Sequence, residues 1–323
     1  MAATAVAGDA SAIAQAKARN AVLQDRAFHL LTLACAVLVV VLLLAVMVSL
    51  IVGAWPALQT FGIGFLGSSS WNPPKELFGA LPPIYGTIVT SIIAMLIGIP
   101  VSFGIAIFLT ELCPTVLRRP IGIAIELLAG IPSIIYGLWG FFFLAPFLQK
   151  TIQPALINSL GKIPGLGLLF GGPAYGIGLL TAGIILAIMV LPFITSITRD
   201  VFSTVPTLLR ESAYGMGMTT WDVARSIVIP YTRVGLVGGV MLGLGRALGE
   251  TMAVTFVIGN SHKIVASILA PATTISATIA NEFTEATGDI YTSSLIALGL
   301  ILFIITFAVL AVAKWLLVHT AVK

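Results

Sequence analysis

Charge is what this 323-residue sequence has least of: Asp, Glu, Lys and Arg together supply 9% of it, against roughly 25% in a soluble globular domain. With 59% hydrophobic residues and a mean hydropathy of +1.11, that scarcity excludes a water-solvated fold. The few charges are spread along nearly the whole length, so the bilayer is the solvent for most of the chain. Cysteine is almost missing too. Cys35 lies in an apolar run and Cys113 in a short polar segment, which excludes a disulfide framework and a CxxC metal or redox motif. The three histidines, His29, His262 and His319, are too scattered to gather around a metal or a nucleophile, and each reads as a solvated or interfacial side chain. No G-x-x-x-x-G-K-[ST] sequence occurs, so the chain has no P-loop with which to hydrolyse ATP. An enzyme is not expected. The net charge of +4 comes from 16 Lys and Arg set in small groups beside apolar runs, which is a topology signal and implies no nucleic-acid partner.

Long apolar runs are what the sequence does have. Windows of about 20 residues bounded by charge or by Gly/Pro clusters predict spans over 29–52, 86–110, 121–147, 174–198, 233–258 and 292–313. The first run lacks Asp, Glu, Lys and Arg from Ala27 to Pro74. It is too long for a cleavable signal core of about 7–15 residues, and it reads as a retained span. An all-α membrane protein with six transmembrane helices follows, both termini on one side. Arg118, Arg119, Arg199, Arg210, Arg225 and Arg233 all fall on the side of the termini, whereas the other side carries only Lys75, Lys150, Lys162 and Lys263. The positive-inside rule therefore predicts cytoplasmic termini. The expected organisation is a cytoplasmic tail over 1–28, a first span and outer loop over 29–85, a core over 86–317 containing the inner loop 199–232, and a second tail over 318–323. The acidic group Glu282, Glu285 and Asp289 in the last outer loop reads as a solvated helix face.

An ionisable group near the bilayer centre costs about 2.5–3.5 kcal/mol or more, so Glu126, Arg246 and Glu250 stand out. On a helix, Gly235, Gly239, Gly243, Arg246 and Glu250 project within about 80° of one another. Glycine at every fourth position admits a neighbouring backbone, so that face is expected against protein or a lined cavity. Arg246 lies about 20 Å along the helix from Arg233, past the middle of a core roughly 30 Å thick. Two readings are open: Arg246 and Glu250 neutralise each other at i and i+4, or they line a passage for an oxyanion, Arg246 as forked donor and Glu250 as acceptor for the anion's proton. Glu126, near the end of its span, reads as snorkelling or as an interhelical hydrogen bond. The break Gly130-Ile131-Pro132-Ser133 predicts a kink, with Pro132 and Ser133 beside a cavity or in packing.

The inner loop reads Glu211-Ser212-Ala213-Tyr214-Gly215-Met216-Gly217, then continues to Ile227-Val228-Ile229-Pro230. Thr219 or Thr220 can cap a short helix and Pro230 is expected to end it, giving a rigid knob suited to docking a soluble partner. This stretch resembles the EAA loop of bacterial ABC-importer permeases, with Glu211, Ala213, Gly217, Ile227 and Pro230 in register and mild departures at Ser212 and Ile229. Together with Arg246 to Thr251, Ile131 to Gly137 and Tyr85-Gly86-Thr87, the chain from about residue 28 onward is similar to membrane subunits of the phosphate-importer branch of that family. The resemblance implies a type I ABC importer permease fold in a bacterial inner membrane. It implies a homologous second permease subunit, two ATPase subunits that carry ATP and Mg, and a periplasmic phosphate-binding protein as partners, with no cofactor in this chain. It also implies that Glu211, Ala213, Gly217, Ile227 and Pro230 couple to the ATPase and that Arg246 and Glu250 meet the anion. A permease for sulfate or molybdate is the runner-up. An ion-coupled secondary transporter would show related halves, and no internal repeat is evident.

Overall fold

The computed structural model describes residues 24–315 in full and the backbone course of residues 2–321. Most of the expected tail 1–28, and all of the tail 318–323, lie outside the fully described residues. Regular structure among the described residues is helical, apart from one antiparallel bridge between Asn72 and Leu77. The chain divides into two units, Met1–Gly53 and Ala54–Lys323. The first unit is part of helix α1 (Ala2–Phe61), whose apolar stretch Gln24–Phe61 is 38 residues long and has no buried residue in its most hydropathic window. A helix that is apolar on every side suits lipid on every side.

The second unit is built around α2 (Leu81–Leu112) and α5 (Leu179–Ser203), which pack along each other. Apolar side chains fill the bundle in successive layers. One joins Ala94, Ile185, Leu186 and Met189 to Val254 and Val257 of α8 (Met252–Val257) and to Ala277 of α9 (Ile275–Glu282). Next come Met95, Val190, Ile194 and Ala247, and then Ala106, Phe202, Val205, Ala213, Val223, Val228 and Leu236. The last layer lies at what we call the basic end, where Arg118, Arg199 and Arg210 gather.

Among the described residues five helices are long and apolar enough to cross a membrane: Gln24–Phe61 of α1, α2, α5, α7 (Thr220–Gly249) and Asp289–Trp315 of α10 (Asp289–Ala321). A sixth span results if α3 (Thr115–Ala129) and α4 (Ser133–Lys162), bent by 88° at their break, are one unit. Pro132 is the cause. It lacks an N–H and disfavours helical backbone at Ile131, and at φ −57°, ψ 137° it caps a new helix in a new direction.

Pro230 behaves differently from expectation. The helix does not end there, because α7 widens to a π-turn over Ala224–Val228 and runs on through Pro230 to Gly249. The wider turn accommodates the proline's missing donor and its ring. Residues 258–274 are mostly irregular yet run into the protein, with Leu269, Ala272 and Thr273 buried. Their backbone is satisfied inside, as in Leu180 N–H to Ile268 C=O at 2.8 Å and Ala272 N–H to Ile258 C=O at 3.0 Å, the condition on which non-helical chain is tolerated at membrane depth.

Candidate functional site

The glycine face of α7 is turned toward α5. A Cβ at Gly239 would lie 3.0 Å from the Ile197 side chain, and one at Gly243 would lie 2.7 Å from that of Ile194, so glycine lets the helices approach this closely without those side chains giving way. One turn further on, the same face delivers Arg246 to Phe193 of α5, its guanidinium carbon 4.3 Å from the ring centroid. An arginine over an aromatic face gains cation–π attraction but no neutralisation. Its Nε is buried without a hydrogen-bond partner, and Tyr136 of α4 lies within electrostatic reach of its charge.

Glu250 is not the partner that helical spacing suggests. The helix stops at Gly249, Glu250 is extended at φ −70°, ψ 130°, and α8 begins only at Met252. Among the described residues no ion pair joins Arg246 to Glu250. Mutual neutralisation is therefore corrected: the i, i+4 geometry that it needs is broken at the glycine before Glu250. What remains is a half-buried cation beside a helix break, with α4, re-aimed by the Pro132 bend, bringing Tyr136 alongside.

At the basic end two other arginines each meet a carboxylate. Arg199 Nη2 meets Glu126 Oε1 at 2.7 Å and Asp200 Oδ1 at 2.9 Å, so Glu126, with its side chain 49% exposed, makes an interhelical bond between α3 and α5. Arg210, on α6 (Thr207–Gly215), donates through Nη2 to the Phe202 carbonyl at 2.6 Å and lies 2.8 Å through Nη1 from Glu111 Oε1, off the angle of a hydrogen bond. The Glu111 side chain is only 4% exposed. Sequence reasoning assigned Glu111 to a polar segment and missed it. The available signal was its place between Leu109 and Leu112, where the apolar run of α2 has not yet ended.

The segment around α6 is ordered and anchored. Ala213 is fully buried in the basic-end layer and Ile227 packs against it. Gly217, at φ +85°, makes the turn that a side chain would strain. Thr219 and Asp222 form a reciprocal capping box at the start of α7. Glu211 and Pro230 are exposed, as are the apolar side chains Leu208, Met216 and Trp221.

The opposite end of the bundle corrects a further expectation. Glu282 is not on a solvated face: Trp71 Nε1 at 2.8 Å, Tyr291 Oη at 2.7 Å and His262 Nε2 at 2.8 Å all meet its carboxylate. His262, read from the sequence as solvated or interfacial, stacks on Trp71 with centroids 5.1 Å apart. Burial by itself would raise the Glu282 carboxyl, and the hydrogen bonds from His262, Tyr291 and Trp71 outweigh it, holding the group below the usual carboxylate range. No motif marks these residues, which are brought together only by the fold.

Comparison with known proteins now gives the geometry a class. Residues 102–318 match the family of binding-protein-dependent transport system inner membrane components. The chain is 68% identical over 304 residues to Phosphate transport system permease protein PstC of Mesorhizobium japonicum, covering 94% of this chain and 93% of that protein. It is 56% identical over 279 residues to the protein of the same name from Haemophilus influenzae, covering 86% and 88%. A chain of the inward-facing MetNI methionine ABC transporter shares the fold, with a TM-score of 0.51 at 18% identity over 75% of this chain and 94% of that one. Fold and family together define a multi-pass membrane permease of the ABC transporter class. The chain belongs to the binding-protein-dependent inner membrane component family, in its PstC branch.

Proposed function

We propose that the chain is the subunit through which an ATP-driven importer carries inorganic phosphate across a bacterial inner membrane. The observation that carries this reading is Arg246: a cation at membrane depth, held over Phe193, that unlike Arg210 has no carboxylate in ion-pair contact among the described residues. An uncompensated cation there is costly, and an oxyanion in transit offsets that cost with charge-assisted hydrogen bonds. The names of its relatives supply phosphate as the oxyanion. Glu250, in the break after α7, accepts the proton that hydrogen phosphate carries and sulfate lacks. The bend at Pro132 and Ser133, anchored below by Glu126 on Arg199, lets α4 move Tyr136 relative to the arginine and so gates the passage.

Moving a divalent anion into a negative interior costs about 4.6 kcal/mol per 100 mV. ATP and Mg on two separate ATPase subunits meet that cost. With cytoplasmic termini the basic end faces those subunits, and the knob made by Leu208, Met216, Trp221, Glu211 and Pro230 docks on them while Ala213 and Ile227 root it in the bundle. A homologous second permease completes the passage, and a periplasmic binding protein delivers phosphate to the other end. Uptake by the complete importer reconstituted in vesicles tests the substrate: labelled phosphate is taken up, tenfold excess sulfate or molybdate does not compete, and Glu250→Gln weakens phosphate uptake. Equal competition by sulfate, with Glu250→Gln inert, would assign the chain to another oxyanion.

A further inference from the structure

We infer that the outer side of α3 and the end of α5 form a binding site for the headgroup of an anionic phospholipid. The inference goes beyond the transport reading and needs no part of it. A cavity of about 460 Å³ opens at the basic end, lined by Arg118, Arg119 and Arg199 with Thr110, Thr115 and Ser203. Charge bookkeeping leaves it cationic. Glu126 and Asp200 also line it, but both are turned onto Arg199. Arg118 spends one Nη2 donor on the Thr110 carbonyl at 2.8 Å, which fixes its guanidinium at the wall. Among the described residues neither Arg118 nor Arg119 meets a carboxylate. The site therefore holds three guanidinium groups against two carboxylates, a surplus of one positive charge that a phosphodiester matches. Thr115 belongs to the first turn of α3, whose unsatisfied N–H groups and dipole add to the attraction for an anion.

Free phosphate would answer the cavity alone; the surface beside it asks for more. Along α3, Val116, Ile123 and Leu127 recur at helical spacing and are exposed, and on a helical projection they adjoin the face that carries Arg119, Ile123 and Glu126 into the cavity. Leu112, just before the helix, is exposed on the same approach. A cationic pocket bordered by a continuous apolar strip is the complement of a molecule with a phosphodiester and acyl chains. The site lies at the ends of the spans, the level at which headgroups sit. Lipid seated there braces α3 against α5, the two elements that Arg199 ties together.

The test washes the assembled importer, purified in detergent, with phosphatidylcholine and titrates it with phosphatidylglycerol or with inorganic phosphate, counting retained lipid by mass spectrometry. Wild type and the charge-preserving Arg118→Lys/Arg119→Lys pair are expected to retain phosphatidylglycerol in preference to phosphatidylcholine. Arg118→Gln/Arg119→Gln is expected to retain it at least tenfold less, at an unchanged melting temperature. Equal retention by the Gln pair, equal retention of phosphatidylcholine, displacement by inorganic phosphate, or retention only after the importer is dissociated would each overturn the proposal. The last outcome would give this face to another subunit. Should the Gln pair fail to assemble, wild type decides: phosphatidylglycerol retention is expected to fall about tenfold between low and high salt, and salt-independent retention overturns the site.

Discussion

Two regions of this protein each hold an arginine inside the bundle, and they treat it in opposite ways. At the basic end, Arg210 is given a carboxylate of its own, Glu111, and a backbone carbonyl, that of Phe202. In the middle of the bundle, Arg246 is given an aromatic face and, among the described residues, no carboxylate in ion-pair contact. The difference separates two uses of one side chain. Where an arginine fastens a loop to the core, the chain supplies the counter-charge and the contact is permanent. Where it has no carboxylate and sits beside a helix break, the proposed function has the counter-charge come from outside and leave again.

The comparison is sharpened most by breaking the permanent pair. Arg210→Gln strands the nearly enclosed Glu111 carboxylate and is expected to destabilise the protein by about 3 kcal/mol, read as a lowered melting temperature of the purified complex. The double variant Arg210→Met/Glu111→Leu removes both charges and is expected to recover most of that loss. A smaller effect is expected at the turn of the same segment. Gly217→Val forces a β-branched residue to φ +85° at about 1–2 kcal/mol, strains the knob without touching Arg246, and slows uptake more than it lowers melting.

At the other end, Glu282→Gln weakens the bonds from Trp71, Tyr291 and His262 by about 1 kcal/mol each at most. The carboxyl is held below its ordinary value in the folded state, so its stabilisation is present above that ordinary value, about 4.3, and is lost as pH falls through the folded value. Wild type is therefore expected to lose stability in acid where Glu282→Gln does not, a difference that melting curves across that range check. Least of all, Arg199→Gln opens a half-exposed pair and is expected to cost under about 1 kcal/mol. A loss as large as that from Arg210→Gln would blur the distinction between enclosed and exposed pairs.

Much of this was legible in the residues. The apolar runs give the helices because nothing else satisfies backbone in lipid, the Pro132 break bends the chain as its chemistry requires, and the spacing of Gly235, Gly239 and Gly243 turns Arg246 toward a neighbouring helix. Local pattern failed where the answer depended on a partner distant in sequence. Glu111 looked like a loop residue because Arg210 lies 99 positions away, and Glu282 looked solvated because Trp71 lies 211 positions away. It also failed where one backbone event changed the geometry: a π-turn carried α7 through Pro230, and the helix end at Gly249 parted Arg246 from Glu250.

The most direct measurement takes phosphate uptake, ATP turnover and melting temperature together, on wild-type and Arg246→Gln importer in the same vesicles. Loss of a charge-assisted contact worth about 1.5–3 kcal/mol is expected to cut uptake roughly 10- to 100-fold, while ATP turnover persists and melting is unchanged or raised. Unchanged uptake, or a fall in melting temperature like that expected for Arg210→Gln, would show that Arg246 is one more structural arginine and that the anion passes elsewhere.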